Sequence, residues 1–191
     1  MKPFALITNV LKVGSMTAQE ATLIAAVIAA FASVAKLFFD RFSENRSSFR
    51  ALLQPLVAEL GESLHGVVST CNVMGRVDGK ESYANWRKKA EAERDKLKAL
   101  RPKLRYPLWG LDEGLRVLIR LPEWTAHARG QTGRLDLLNK RATRLRGVLD
   151  VVALRCYRNG RLPDALERLQ VRIYAWHCRQ VFDNGPTADE E

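Results

Sequence analysis

Residues 18–39 read AQEATLIAAVIAAFASVAKLFF, with no charge between Ala21 and Ala35 and only Lys36 inside the apolar end. As a helix this stretch is roughly 33 Å long, against a hydrocarbon core of about 30 Å. Its Leu, Ile, Val and Phe residues together favour insertion by about 3–5 kcal/mol. Lys36 lies within a turn of the end, where its stem lets the ammonium reach the interface. The stretch therefore predicts a single transmembrane helix. Three other readings compete with it. A core helix is one, because the uncharged run is shorter than an ideal span. A signal peptide is another, since Ala30-Phe31-Ala32 has a small-x-small form, although Glu20 abuts the apolar segment. A helix lying on a membrane surface needs a polar face, and Ala21 to Ala35 offers none.

On either side the chain divides by composition. Residues 1–17 form a short, moderately apolar segment, and Thr17 with Glu20 has the spacing of a capping box at the start of the span. Residues 40–182 read as a helical domain, and residues 183–191 as an acidic tail. Within 40–182, Leu52, Leu53, Leu56, Leu60, Leu64, Val67 and Val68 recur at helical steps, with Pro55 as a kink or a new start. Ser82 is the expected cap of a charged helix that Arg101-Pro102 ends, and Pro107 and Pro122 bound a short helix after it. A helix over 134–158 stops at Asn159-Gly160, and Pro163 suits the first turn of a last helix reaching about Phe182. No alternating strand pattern occurs, so the fold class is all-α: one N-terminal span followed by a helical bundle.

Arg41, Arg46 and Arg50 follow the span, with Lys36 at its edge, whereas only Lys2 and Lys12 precede it. The positive-inside rule then puts 40–182 in the cytoplasm and the N-terminal segment outside, as for a bacterial inner-membrane protein. Small residues at four-residue steps, Ala25, Ala29 and Ser33, give the span a face on which helices pack closely, so a homo-oligomer is expected. Over the whole chain the net charge is +10. That points to an anionic partner, either membrane lipid or nucleic acid. Arg134, Lys140, Arg141, Arg144, Arg155 and Arg158 crowd one segment and are the candidate residues for that contact. Cys71, Cys156 and Cys178 form no CxxC pair, which favours a reducing compartment. They and the histidines lack a four-ligand zinc spacing, so no metal or other cofactor is expected, and no small-molecule substrate is evident.

The chain carries no phosphate-binding loop, no HExxH and no GxSxG. Of its three histidines, His65 sits in an ordinary amphipathic pattern and reads as structural. Arg172-Ile-Tyr-Ala-Trp-His177 is R-x4-H, and Arg120 with His127 forms R-x6-H. The R-x4-H pattern resembles the signature of the HEPN superfamily, small helical domains many of which cut RNA without metal. The resemblance implies that Arg172 and His177 act on one phosphodiester together with a second protomer. In that role the imidazole moves protons and the guanidinium holds phosphate charge. Structural or interfacial roles for the same two residues are the alternative.

One span, a helical domain of this size and a late R-x4-H also resemble the small HEPN-like membrane accessory family of type VI-B CRISPR systems. That resemblance implies a degenerate HEPN-like domain, an oligomeric membrane pore and a role in antiviral defence beside an RNA-guided nuclease. The leading expectation is therefore a membrane-anchored effector that self-assembles. A membrane-tethered, metal-independent RNase and a basic adaptor for nucleic acid or anionic lipid are the alternatives.

Overall fold

Apolar residues recur at three- and four-residue steps along most of the chain, and each such run is a helix. A computed structural model describes the backbone of residues 18–184; the side chains of 18–25, 37–39, 41, 42 and 184 lie outside the described residues, as do 1–17 and 185–191. The elements are α1 (Ala18–Arg76), α2 (Lys80–Leu104), a 3-10 turn (Trp109–Leu111), α3 (Asp112–Ala128), α4 (Thr132–Asn159) and α5 (Ala165–Asn184). Among the described residues there is no strand, and the all-α class holds. Two compact units divide the chain, Met1–Asn45 and Arg46–Glu191.

In the first unit, the predicted span keeps a helical backbone as the start of α1. Among the described residues, no helix is long and apolar enough to cross a membrane. Val27, Ile28, Phe31 and Val34 are 48%, 63%, 75% and 52% exposed, so this part of α1 is not a core helix. The capping role of Thr17 lies outside the described residues, as do residues 185–191 of the acidic tail.

The second unit is built on leucine. From α1, Leu53, Leu60, Leu64, Val67, Cys71 and Met74 are wholly buried. They meet Leu97 and Leu100 of α2, Leu115 and Leu118 of α3, Leu145 and Leu149 of α4, and Val171 and Cys178 of α5 in one core. Each fully buried side chain of this size contributes about 1.5–3 kcal/mol. Helix α3 packs against α2, α4 and α5, and its buried set runs from Gly114 through Trp124 to Ala128.

Prolines set fewer boundaries than the sequence predicts. Pro55 lies inside α1, which continues past it. A proline removes the bond to the carbonyl four residues back, here that of Ala51. Both residues are exposed, so water replaces the lost donor while Leu53 and Leu60 hold the helix on the core. Pro102 lies inside α2, which extends to the buried Leu104. Pro122 lies inside α3 rather than at its end, because Leu115, Leu118, Leu121, Trp124 and Ala128 continue the buried face across it. Burying that face outweighs a helix-interior cost of about 3 kcal/mol.

Helix starts also differ from expectation. Gly79 caps α2 at φ 96°, a region open to glycine, and Ser82 falls within the first turn. Asp164 caps α5, with Pro163 just before the cap and two residues ahead of the helix. The Asp164 carboxylate accepts from the Glu167 amide at 2.8 Å, and the Glu167 carboxylate accepts from the Asp164 amide at 3.0 Å, a reciprocal capping box. Arg161 clamps the same buried Glu167 with two bonds of 2.8 and 2.9 Å. Before it, α4 stops at Gly160 (φ 59°), where the amides of Gly160 and Arg161 donate to Tyr157 and Cys156 in a Schellman pattern.

Leu118 is fully buried on the helix that touches three others. Leu118→Ala is expected to lower unfolding free energy by about 2–5 kcal/mol, through lost transfer energy and the cavity left behind. Urea denaturation of the two proteins measures this; an unchanged midpoint would mean that α3 is not the central packing element.

Candidate anion-binding groove

The outer face of α3 carries Asp112, Glu113, Arg116 and Arg120, and one face of α5 carries Arg168, Arg172 and Arg179. Steps of four and seven residues keep the three α5 arginines within about 40° of each other around the helix axis. Arg101 joins them from the last turn of α2. Two clefts open here. One, of about 550 Å³, is lined by Arg101, Arg116, Arg120, Arg179 and Trp124. The other, of about 360 Å³, is lined by Trp109, Glu113, Arg116, Arg168, Arg172 and Arg179. Arg116 and Arg179 line both, so the clefts adjoin as one groove.

Six guanidinium groups thus face two carboxylates. Arg101 grips Asp112 with Nε at 2.6 Å and Nη2 at 3.2 Å, and Arg116 reaches the same carboxylate at 2.9 Å. The Arg101 hydrogen bonds hold the Asp112 carboxyl below its ordinary range, against partial burial that pushes the other way. Glu113 is shared by Arg179 at 3.2 Å and Arg172 at 3.5 Å. Arg168 stacks on the Trp109 ring at 4.4 Å and donates to the Asp164 carbonyl at 3.1 Å. Gly110 makes room for it, since a Cβ there would run into the Arg168 stem. Arg120 has no carboxylate partner among the described residues. The arrangement supplies several fixed positive donors around a concavity, with too few anions to neutralise them.

The structure separates the residues of the R-x4-H motif. Five residues apart on α5, Arg172 and His177 point about 140° apart. Arg172 enters the groove, while the His177 ring lies edge-on to Trp176 with ring centres 5.0 Å apart, and its carbonyl accepts from Arg141 of α4 at 2.8 Å. Arg120 and His127 share a face of α3 but stand two turns, about 10 Å, apart along it. His127 Nδ1 donates to the Glu123 carbonyl of its own helix at 2.8 Å. His65 Nδ1 accepts from Arg146 at 2.8 Å, between α1 and α4.

The basic residues of α4 divide into two groups. Arg134 donates to the Val181 carbonyl at 3.1 Å and to the Phe182 carbonyl, and Arg141 bonds to His177; both tie α4 to the backbone of α5. Lys140, Arg144, Arg155 and Arg158 are exposed, with no carboxylate in ion-pair range among the described residues. On α1, Ala29 and Ser33 are exposed one turn apart, and the Ser33 hydroxyl donates to the Ala29 carbonyl at 2.8 Å. The side chain of Ala25 lies outside the described residues. The three thiols are buried, and burial pushes each up to about 12. Among the described residues no cluster of His, Cys, Asp or Glu could hold a metal ion.

Sequence reasoning missed Arg101, Arg116, Arg168 and Arg179. A four-residue step on α5 relates Arg168 to Arg172, but nothing along the chain relates either to α2 or α3. Compared with known proteins, the chain matches no family model, no curated protein and no solved structure.

Asp112 anchors the groove electrostatically. Its depressed pKa means that the pairing stabilises the fold fully above the ordinary Asp range (about 4) and is lost as pH falls through the lower, folded value. Asp112→Asn is expected to lower stability at pH 7 and to flatten the acid limb of the stability–pH curve. Thermal melts from pH 7 down to the acid transition measure both, and parallel curves for the two proteins would contradict the assignment.

Proposed function

We propose that the chain is a helical adaptor that binds the phosphate backbone of a single-stranded nucleic acid in the groove between α3 and α5. The observation that carries the reading is the convergence of six arginines from three helices on a concavity holding two carboxylates. Guanidinium groups bind phosphate oxygens in bidentate fashion and keep their charge at all working pH values. Adjoining concave clefts suit a strand better than a flat bilayer. The net charge of +10 adds long-range attraction. RNA cleavage finds less support, because Arg172 and His177 diverge within one chain, and a composite site would need a second protomer to supply the missing partner.

Anisotropy of a labelled single-stranded oligonucleotide, titrated at several salt concentrations, tests the groove. For single strands, log K falls with log salt by roughly 0.7 per phosphate neutralised. The Arg116→Ala/Arg120→Ala pair is expected to weaken binding and reduce the slope by about 1.4. The Arg144→Ala/Arg155→Ala pair, on α4, is expected to leave the slope nearly unchanged. If the groove variant binds like the wild type, the reading fails.

A second reading, membrane attachment with self-assembly, is favoured by the exposed apolar surface of α1. Val27, Ile28, Phe31 and Val34 are exposed within about 120° of the helix circumference, and no charged residue lies between Ala21 and Ala35. Residues 26–35 cover about 15 Å, half of a hydrocarbon core, so a full crossing depends on the apolar residues flanking them in sequence. The inner-membrane location, the cytoplasmic side of the second unit and the oligomeric pore in antiviral defence all belong to this reading. Flotation with liposomes tests it: the wild type should rise with the lipid and Phe31→Asp/Val34→Asp should remain below. A wild-type chain that stays at the bottom of the gradient would remove the membrane from the account.

A further inference from the structure

Helix α5 has two apolar faces, and the core uses only one. Val171, Ala175, Cys178 and Val181 are buried. Leu166, Leu169, Ile173 and Trp176, at steps of three, four and three residues, are 77%, 52%, 45% and 53% exposed. Single exposed apolar residues are ordinary, whereas a row of four in helical register is not. We propose that this row is a docking seam for an acidic amphipathic helix of a partner protein.

The width of the row selects a helix as occupant. At 100° per residue its four members fall within about 80°, narrower than the 100° or more of a core-facing or membrane-lying helix. Alternating three- and four-residue steps are those of the a and d positions of a coiled-coil seam. A partner helix fits such a row by seating its own knobs between these four.

Charge selects the chemistry of that helix. On one side the row is bordered by Arg172 and Arg179, which share the single carboxylate of Glu113. On the other side come Gln170 and His177, and beyond them α4. The Arg141 bond to the His177 carbonyl fixes which sector of α4 faces α5. Arg144 and Arg155 lie within about 60° of Arg141 around α4, both exposed and without a carboxylate in ion-pair range. The acids of α5 itself are Glu167, buried and held by Arg161, and Asp183 at its far end. The apolar row therefore runs between two basic borders. A second copy docking through the same row in antiparallel fashion would set Arg172 and Arg179 against their own counterparts, a like-charge arrangement. Carboxylates flanking the apolar residues of a different helix relieve that repulsion and supply ion pairs on both sides.

The test uses the full chain and two synthetic helical peptides, each about three heptads long with Leu at a and d. One carries Glu at the flanking e and g positions and the other Lys. Anisotropy of the labelled peptides is expected to show saturable binding of the acidic peptide, at least about tenfold tighter than the basic one. Ile173→Asp should abolish that binding, and Arg172→Glu/Arg179→Glu should bring the two peptides close to parity, because Arg144 and Arg155 keep the other border basic. Ile173 lines neither cleft of the groove, so Ile173→Asp should leave oligonucleotide binding unchanged, which separates this seam from the groove. Equal binding of the two peptides, or binding unaffected by Ile173→Asp, would overturn the proposal. So would a wild-type dimer that Ile173→Asp dissociates in sedimentation velocity, which would assign the row to a second copy. Flotation of the chain with anionic vesicles that is lost in Ile173→Asp would assign it to lipid instead and equally overturn the proposal.

Discussion

Three helices come within contact distance at Gly114. A Cβ there would lie 2.9 Å from a Leu149 methyl of α4 and 3.0 Å from a Val171 methyl of α5. The absence of a side chain lets the first turn of α3 sit directly on both neighbours. Asp112, Glu113 and Arg116 belong to that same turn or the next, so this close approach sets them opposite the α5 arginines. Helix length and leucine content alone would allow α3 to pack elsewhere along α5. The fit of Leu149 and Val171 methyls against one glycine fixes the register from which the groove follows.

Like charges then have to be held together. Arg101, Arg116, Arg120, Arg168, Arg172 and Arg179 would repel one another in a shared concavity, and most are kept in place by a specific contact. Asp112 takes Arg101 and Arg116, Glu113 takes Arg172 and Arg179, and the Trp109 ring takes Arg168. Apart from the more buried Asp112 pairs, such contacts at a partly exposed surface add little to stability. Their effect is positional: they hold the guanidinium groups around the clefts while leaving an excess of positive charge facing solvent. The exposed apolar row of α5 lies beside this charged lip, so one helix serves the core, the groove and an open face. That threefold use explains why α5 carries apolar residues on two sides and arginine between them.

Proline shows most directly where sequence reading stops. Pro102 and Pro122 read as boundaries and Pro55 as a kink or a new start, and all three lie inside helices. Local rules count the lost hydrogen bond and the ring clash. They do not count the Leu, Trp and Ala residues on both sides that keep a continuous buried face. The stop at Gly160 was legible because its cause is local: a glycine in the left-handed region closes the last turn through its own neighbours. The capping box at Asp164 and Glu167 is equally local, although Pro163 drew attention two residues too early.

For the site, the sequence by itself determined the raw materials: an all-helical chain, a strong positive charge, an arginine at 172 and an uncharged apolar run beginning at Ala21. Those follow from composition and from periods of three to four residues, which act within a single helix. Only the tertiary structure decided which charges meet. It sent Arg134 and Arg141 to the backbone of α5, turned His177 away from Arg172, and brought Arg101, Arg116 and Arg179 to one groove. The physical reason is that an arginine's partner is set by the rotation and crossing of whole helices, and these depend on how buried leucines and one glycine pack across the core.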